Sequence, residues 1–171
     1  LSRTDPAEGP DATTVHATCV VVGEGGILIR GAAGAGKSSL ALGLLDRAER
    51  EGLHAQLVGD DRIRIERHHG RLVARPHPAI VGLIEVRGLG LRTVPALDAA
   101  ILRLVVDCVE RAERLPEPAE AAVVLGIALP RLVLDRAVRE TGQAPAHVMS
   151  ALAVASRSQC GALGPGPAEA P

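Results

Sequence analysis

The chain has 171 residues and a formal net charge of −1, from 19 Lys and Arg against 20 Asp and Glu. That balance leaves no basic surplus to hold nucleic acid or an anionic membrane. Phe, Tyr and Trp are absent, which removes the aromatic stacking that single-stranded nucleic acid relies on. The length suffices for one domain with a sizeable core, and that core must be aliphatic. In chain order, residues 1–13 are polar with Pro and Gly, and read as a flexible leader. Val15 to Val22 reads as a strand broken by His16 and Thr18, Gly23 to Gly26 as a turn, and Ile27 to Arg30 as the second strand of a hairpin.

A glycine-rich stretch follows, then a helix over 38–51 with Leu40, Ala41, Leu44, Leu45 and Ala48 on one face. Asp46 and Arg50 are spaced to pair on its outside, and Gly52 fits the position just after its end. The chain re-enters a sheet at 55–58 and reaches Gly59-Asp60-Asp61. Arg62 to Arg67 places Ile63 and Ile65 inward, and with Arg71 to Arg75 predicts a second hairpin around His68-His69-Gly70. That histidine pair is read as having no acidic or cysteine partner nearby in sequence, and so as a solvated turn. Pro76-His77-Pro78 breaks the pattern, and apolar Ile80 to Val86 runs into Gly88-Leu89-Gly90. Residues 97–113 fit helix or strand equally, because apolar content alone does not decide. Val123 to Ala128 and Arg131 to Leu134 read as late strands around Pro130, and Ala144 to Ser156 as a last helix. Residues 161–171 are Gly-, Pro- and Ala-rich and read as a disordered tail, leaving 14–160 as the domain. Cys19, Cys108 and Cys160 lack C-x-x-C spacing and read as reduced thiols of a cytoplasmic protein. No apolar run reaches the roughly 18 residues of a spanning helix, and no signal peptide is read.

The chemistry centres on Gly31-Ala32-Ala33-Gly34-Ala35-Gly36-Lys37-Ser38, which runs from a strand into a helix. This is the phosphate-loop pattern in its expected setting. Glycines let successive N–H groups turn toward an anion, with the helix N-terminus behind them. The stretch Gly31 to Ser39 is therefore the candidate nucleotide-binding segment. Lys37, the only lysine of the chain, is placed to reach the outer phosphates, and the Ser38 hydroxyl can ligand Mg²⁺. The acids must name the reaction. Asp60 and Asp61 end the strand after the phosphate-loop helix, where carboxyl ends of parallel strands face a ligand crevice. Two carboxylates there suit Mg²⁺ or acceptance of a hydroxyl proton. Asp107, which ends Leu104-Val105-Val106, and Glu85 are rival metal acids. Chemistry alone does not rank the three.

His16, the phosphate loop, Val58-Gly59-Asp60-Asp61 and Glu85-Val86-Arg87-Gly88-Leu89-Gly90-Leu91 occur in the order and spacing of HPr kinase/phosphorylases. The chain resembles their C-terminal catalytic domain, in the short form, over roughly residues 14–135. The resemblance implies an α/β P-loop kinase fold of the HPr kinase and phosphoenolpyruvate carboxykinase type, with a central mixed sheet and flanking helices. It implies an ATP- and Mg²⁺-dependent kinase that phosphorylates a serine of HPr, the phosphocarrier of the sugar phosphotransferase system, or of its nitrogen-branch equivalent. Carried over by motif, Asp61 is the general base, Asp60 supports it or the metal, and Ser38 and Glu85 ligand Mg²⁺. His16 orients the site, Arg114 matches a catalytic arginine, and Asp107 falls on a structural strand.

Ala33 stands where many members have Ser, and Ser39 where many have an acid. No basic Pro-Val-Arg-Pro-Gly segment follows Asp135, so the phosphorylase activity and hexamer of long members have no sequence counterpart here. A homo-oligomer remains an expectation from the resemblance, while nucleic acid and membrane are not expected partners. The alternative function is a nucleotide-binding regulatory module with little turnover.

Overall fold

The computed structural model describes residues 11–112 and 121–160. In chain order these form β1 (Ala12–Val15), β2 (Ala17–Val22), β3 (Gly25–Gly31), α1 (Lys37–Arg50), β4 (Ala55–Gly59), β5 (Ile63–His68), β6 (Arg71–Pro76), β7 (Leu83–Val86) and β8 (Gly90–Thr93). They continue with β9 (Ala100–Cys108), β10 (Ala122–Val124), β11 (Ile127–Leu129), β12 (Arg131–Leu134), α2 (Arg136–Glu140) and α3 (Ala144–Cys160). The main sheet has eight strands in the order β1-β5-β6-β9-β3-β2-β4, with β12 also paired to β9. It is mixed: β3, β9 and β12 run parallel, and the other pairs are antiparallel.

The expected hairpins form, Ala17 facing Arg30 in the first and His68 facing Arg71 in the second. The first strand is broken only at His16. Thr18, expected as a second break, is fully buried within β2. β1 starts at Ala12, inside the stretch expected to be a leader. Residues 97–113, ambiguous by period, supply β9, which pairs on both edges and is buried over Leu104–Cys108. A strand covered on both faces reads as a continuous apolar run, with no alternation to betray it. The run from Val123 to Ala128 is two short strands, β10 and β11, paired around Leu125-Gly126. The expected disordered tail lies outside the described residues.

Alternating side chains of the sheet feed two cores. On one face Val20, Ile27, Ile29, Leu104 and Val106 pack under Leu40, Ala41, Leu44 and Ala48 of α1, with Val148 and Leu152 of α3. On the other, Cys19, Val21, Leu28 and Val105 meet Ile63, Ile65 and Leu72, capped by the β10–β11 hairpin. α1 stops where expected: Gly52 N–H bonds the Glu49 carbonyl and Leu53 N–H the Ala48 carbonyl, satisfying its last turn. Arg50 and Asp46 pair on its outer face. Cys19 and Cys108 are free and buried. Among the described residues no helix is long and apolar enough to cross a membrane.

Candidate active site

β3 delivers the chain to Gly31, and α1 begins at Lys37, so the loop between them wraps the helix N-terminus. Gly34 and Gly36 hold φ of 78° and 82°, a left-handed backbone that side chains resist. That geometry turns loop N–H groups toward an anion, beside the positive end of the α1 dipole. Lys37 is nearly covered, at 7% exposure. Its ammonium donates to the carbonyls of Gly31 (3.0 Å) and Ala32 (3.1 Å) and to His16 Nε2 (3.1 Å). Three donors thus meet three acceptors, two in the loop of Lys37 itself and one on His16.

An ammonium only donates, so Nε2 of His16 accepts and Nδ1 carries the ring proton. Nδ1 lies 2.8 Å from the Asp61 carboxylate and 3.1 Å from its backbone carbonyl. His16 sits between β1 and β2, where the chain steps from the β5 edge to the central sheet. That step aims its ring across the end of β4. Lys37, His16 and Asp61 form one hydrogen-bonded line.

Asp60 belongs to a different set. It is 6% exposed, and accepts from Thr18 Oγ1 (2.6 Å), from the Ser38 hydroxyl (3.1 and 3.0 Å) and from the Glu85 backbone N–H (3.2 Å). Asp61, at φ 68°, is a non-glycine residue in the left-handed region. This kink directs the two adjacent carboxylates apart: Asp60 inward onto Ser38, and Asp61 outward to His16 at 63% side-chain exposure. Both acids line one open cleft with His16, Lys37, Ser38 and Glu85.

Ser38, Asp60 and Glu85 offer only oxygen donors, the preference of Mg²⁺. Among the described residues no group of three or more His, Cys, Asp and Glu side chains is placed to hold a metal ion. Asp107 is not in the cleft. It accepts from Arg30 Nε and Nη2 (2.7 and 2.8 Å) and from Arg131 Nε (2.6 Å). Burial pushes its carboxyl up, but the hydrogen bonds and charges of the two guanidiniums outweigh this and hold it below the ordinary range.

The HPr Serine kinase C-terminal domain family matches residues 10–161. The chain belongs to this family. Two relatives are named HPr kinase/phosphorylase. That of Streptococcus thermophilus is 31% identical over 163 residues, covering 87% of this chain and 50% of that protein. That of Clostridium beijerinckii is 42% identical over 85 residues, covering 50% of this chain and 26% of that protein. The chain thus spans about half or less of the curated relatives it matches. Among solved structures, the Hpr(Ser) kinase/phosphatase from Coxiella burnetii superposes with a TM-score of 0.67 at 25% identity, over 86% of this chain and 98% of that one. The P-loop kinase fold of the HPr kinase type is therefore shown by sequence and by shape.

Within this kinase-family domain, His16, Lys37, Ser38, Asp60, Asp61 and Glu85 line one cleft. Arg114 lies outside the described residues. One reading needs correction: His68 does have an acidic partner. Its Nε2 lies 2.8 Å from Glu66, which also takes Arg75 at 3.3 Å. The His68 hydrogen bond chiefly holds the Glu66 carboxyl below its usual range; burial opposes it as the next largest effect, and Arg75 and Arg64 add to the lowering. The pair lies on the outer sheet face, away from the cleft. Thr18 is the polar residue that the sequence did not flag. Its hydroxyl anchors Asp60, and its only sequence signal was a polar residue inside an apolar strand.

Proposed function

We propose that this domain is an ATP- and Mg²⁺-dependent serine kinase acting on an HPr-type phosphocarrier protein, in the cytoplasm. The observation that carries this reading is the exposed Asp61 carboxylate, held by His16 at the mouth of a phosphate loop whose Ser38 is bonded to a different acid. A binding module needs the loop but has no use for a positioned, solvent-facing carboxylate beside it. Leu91, 68% exposed, lines the same cleft, and an exposed apolar rim suits a protein acceptor.

In this reading the loop N–H groups and the α1 N-terminus bind the triphosphate. Lys37 exchanges the Gly31 and Ala32 carbonyls for phosphate oxygens. Ser38 and Glu85 would hold Mg²⁺, with Asp60 behind Ser38, and the ion would supply neutralisation of the phosphate charge. The acceptor serine Oγ forms a bond to the γ-phosphorus, the bond from that phosphorus to the β,γ-bridging oxygen breaks, and the Asp61 carboxylate takes the serine proton. His16 Nδ1–H keeps Asp61 aimed at the acceptor.

Asp61→Asn tests this most directly. It is nearly isosteric but takes no proton, so transfer to HPr serine should fall about 10²–10⁴-fold, while ATP affinity by calorimetry stays. Phospho-HPr measured by intact mass on the same preparations gives the rate. Unchanged transfer removes the base from the mechanism. Tight ATP binding in the parent protein, without transfer to any HPr homologue, favours the regulatory module.

A further inference from the structure

The phosphate loop has a cavity on each flank. One is the cleft with the acids. The other, of about 560 Å³, lies between α1 and the α2–α3 corner, within the roughly 300–1,000 Å³ range of small-molecule sites. The two share Gly34, Gly36, Ser39 and Arg87 as walls, so they adjoin across the loop. The second cavity holds none of the site acids. Leu40, Gly43 and Pro145 give it an apolar floor, and Arg136, Glu140 and Glu110 a charged rim. Arg136 Nε bonds Glu140 at 2.6 Å, and its Nη1 stands 3.8 Å from Glu110. The two carboxylates flank the guanidinium at the rim. Arg139 secures the corner itself by donating to the carbonyls of Val109 and Leu134.

The geometry points to this cavity as the nucleoside half of the ATP site, with the Arg136 guanidinium as the plate on which the base stacks. The inference rests on the kinase reading above. In-line transfer places acceptor and leaving group on opposite sides of the γ-phosphorus. Asp61 marks the acceptor side, so the rest of the nucleotide leaves toward the other flank. A base there needs a flat partner. The lining of this cavity holds no Phe, Tyr, Trp or His, and a planar guanidinium is the remaining kind of side chain there that stacks on a π-face. The aliphatic floor of Leu40 and Pro145 covers the opposite face of the ring.

Tripolyphosphate engages the loop without a nucleoside, and so separates the two halves of the site. With Mg²⁺ present, calorimetry on Arg136→Ala should show ATP weakened about tenfold and tripolyphosphate unchanged. Arg136 is 63% exposed, so its truncation spares the fold. Glu140→Trp, also exposed, places a single tryptophan at the rim of a chain that otherwise has none. Its emission should respond to ATP and not to tripolyphosphate. Loss of both ligands together in Arg136→Ala, loss of neither, or a tryptophan indifferent to bound ATP would overturn the assignment. So would a parent protein that binds ATP no better than tripolyphosphate, an outcome that leaves the phosphate-loop reading intact. A parent that binds neither overturns both.

Discussion

Asp107 shows how a carboxylate at a strand end can serve architecture. Arg30 and Arg131 both point at it, from the two strands that flank β9 in parallel. Its lowered pKa sets the sign of its pH effect. The stabilisation is fully present above the unfolded value of about 4, and is lost as pH falls through the lower folded value. Asp107→Asn should therefore flatten the acid limb of the stability curve, read from denaturant midpoints across that range. The guanidiniums are 34% and 32% exposed, so water screens part of the loss. The cost at neutral pH should be about 2 kcal/mol, between surface and buried pairs. In the same variant the Mg²⁺ requirement for ATP binding should not move, whereas Glu85→Gln should raise it. The opposite pattern would return the metal to Asp107.

The β3–β9 pair is the element that carries the loop. A Cβ on Gly26 would lie 2.6 Å from the Ile101 carbonyl oxygen, and two backbones cannot both yield there. Gly26→Ala should cost about 1–3 kcal/mol, as overpacking does, and should weaken ATP as β3 shifts under the loop. A melt and an ATP titration on one sample check it, and a wild-type midpoint would refute the close approach. At this scale the sequence was legible where the signal is local. Glycine spacing, helix period and turn residues gave the loop, α1 and the β5–β6 hairpin. β9 was not legible, because burial on both faces erases period. α2 was not legible either: Arg136–Glu140 is too short to show one, although Asp135 caps it by accepting from the Val138 N–H. The Lys37–His16–Asp61 line joins residues far apart in the chain. Motif resemblance marked its members, but the contacts depend on the turn at His16 and the left-handed backbone at Asp61.

Taken as a whole, the molecule is a mixed sheet with its helices on one face and a folded-over second core on the other, and its reactive groups are few. Burial pushes the thiols of Cys19 and Cys108 up, so neither is a ready nucleophile. Lys37 is the sole lysine, and its three donors are tied to Gly31, Ala32 and His16. An amine-directed acylating reagent therefore meets one ε-amine and the α-amino terminus. The α-amine should react first, and Lys37 slowly, when the ammonium lets go of its carbonyls. ATP should slow it further by occupying the same donors. Intact mass with peptide mapping over time reads both rates; Lys37 acylated as fast as the terminus, with no protection by ATP, would contradict the tied arrangement. In a chain with a single ε-amine, each slow adduct records one opening of the phosphate loop, so the labelling rate measures how often the empty site exposes its own cation.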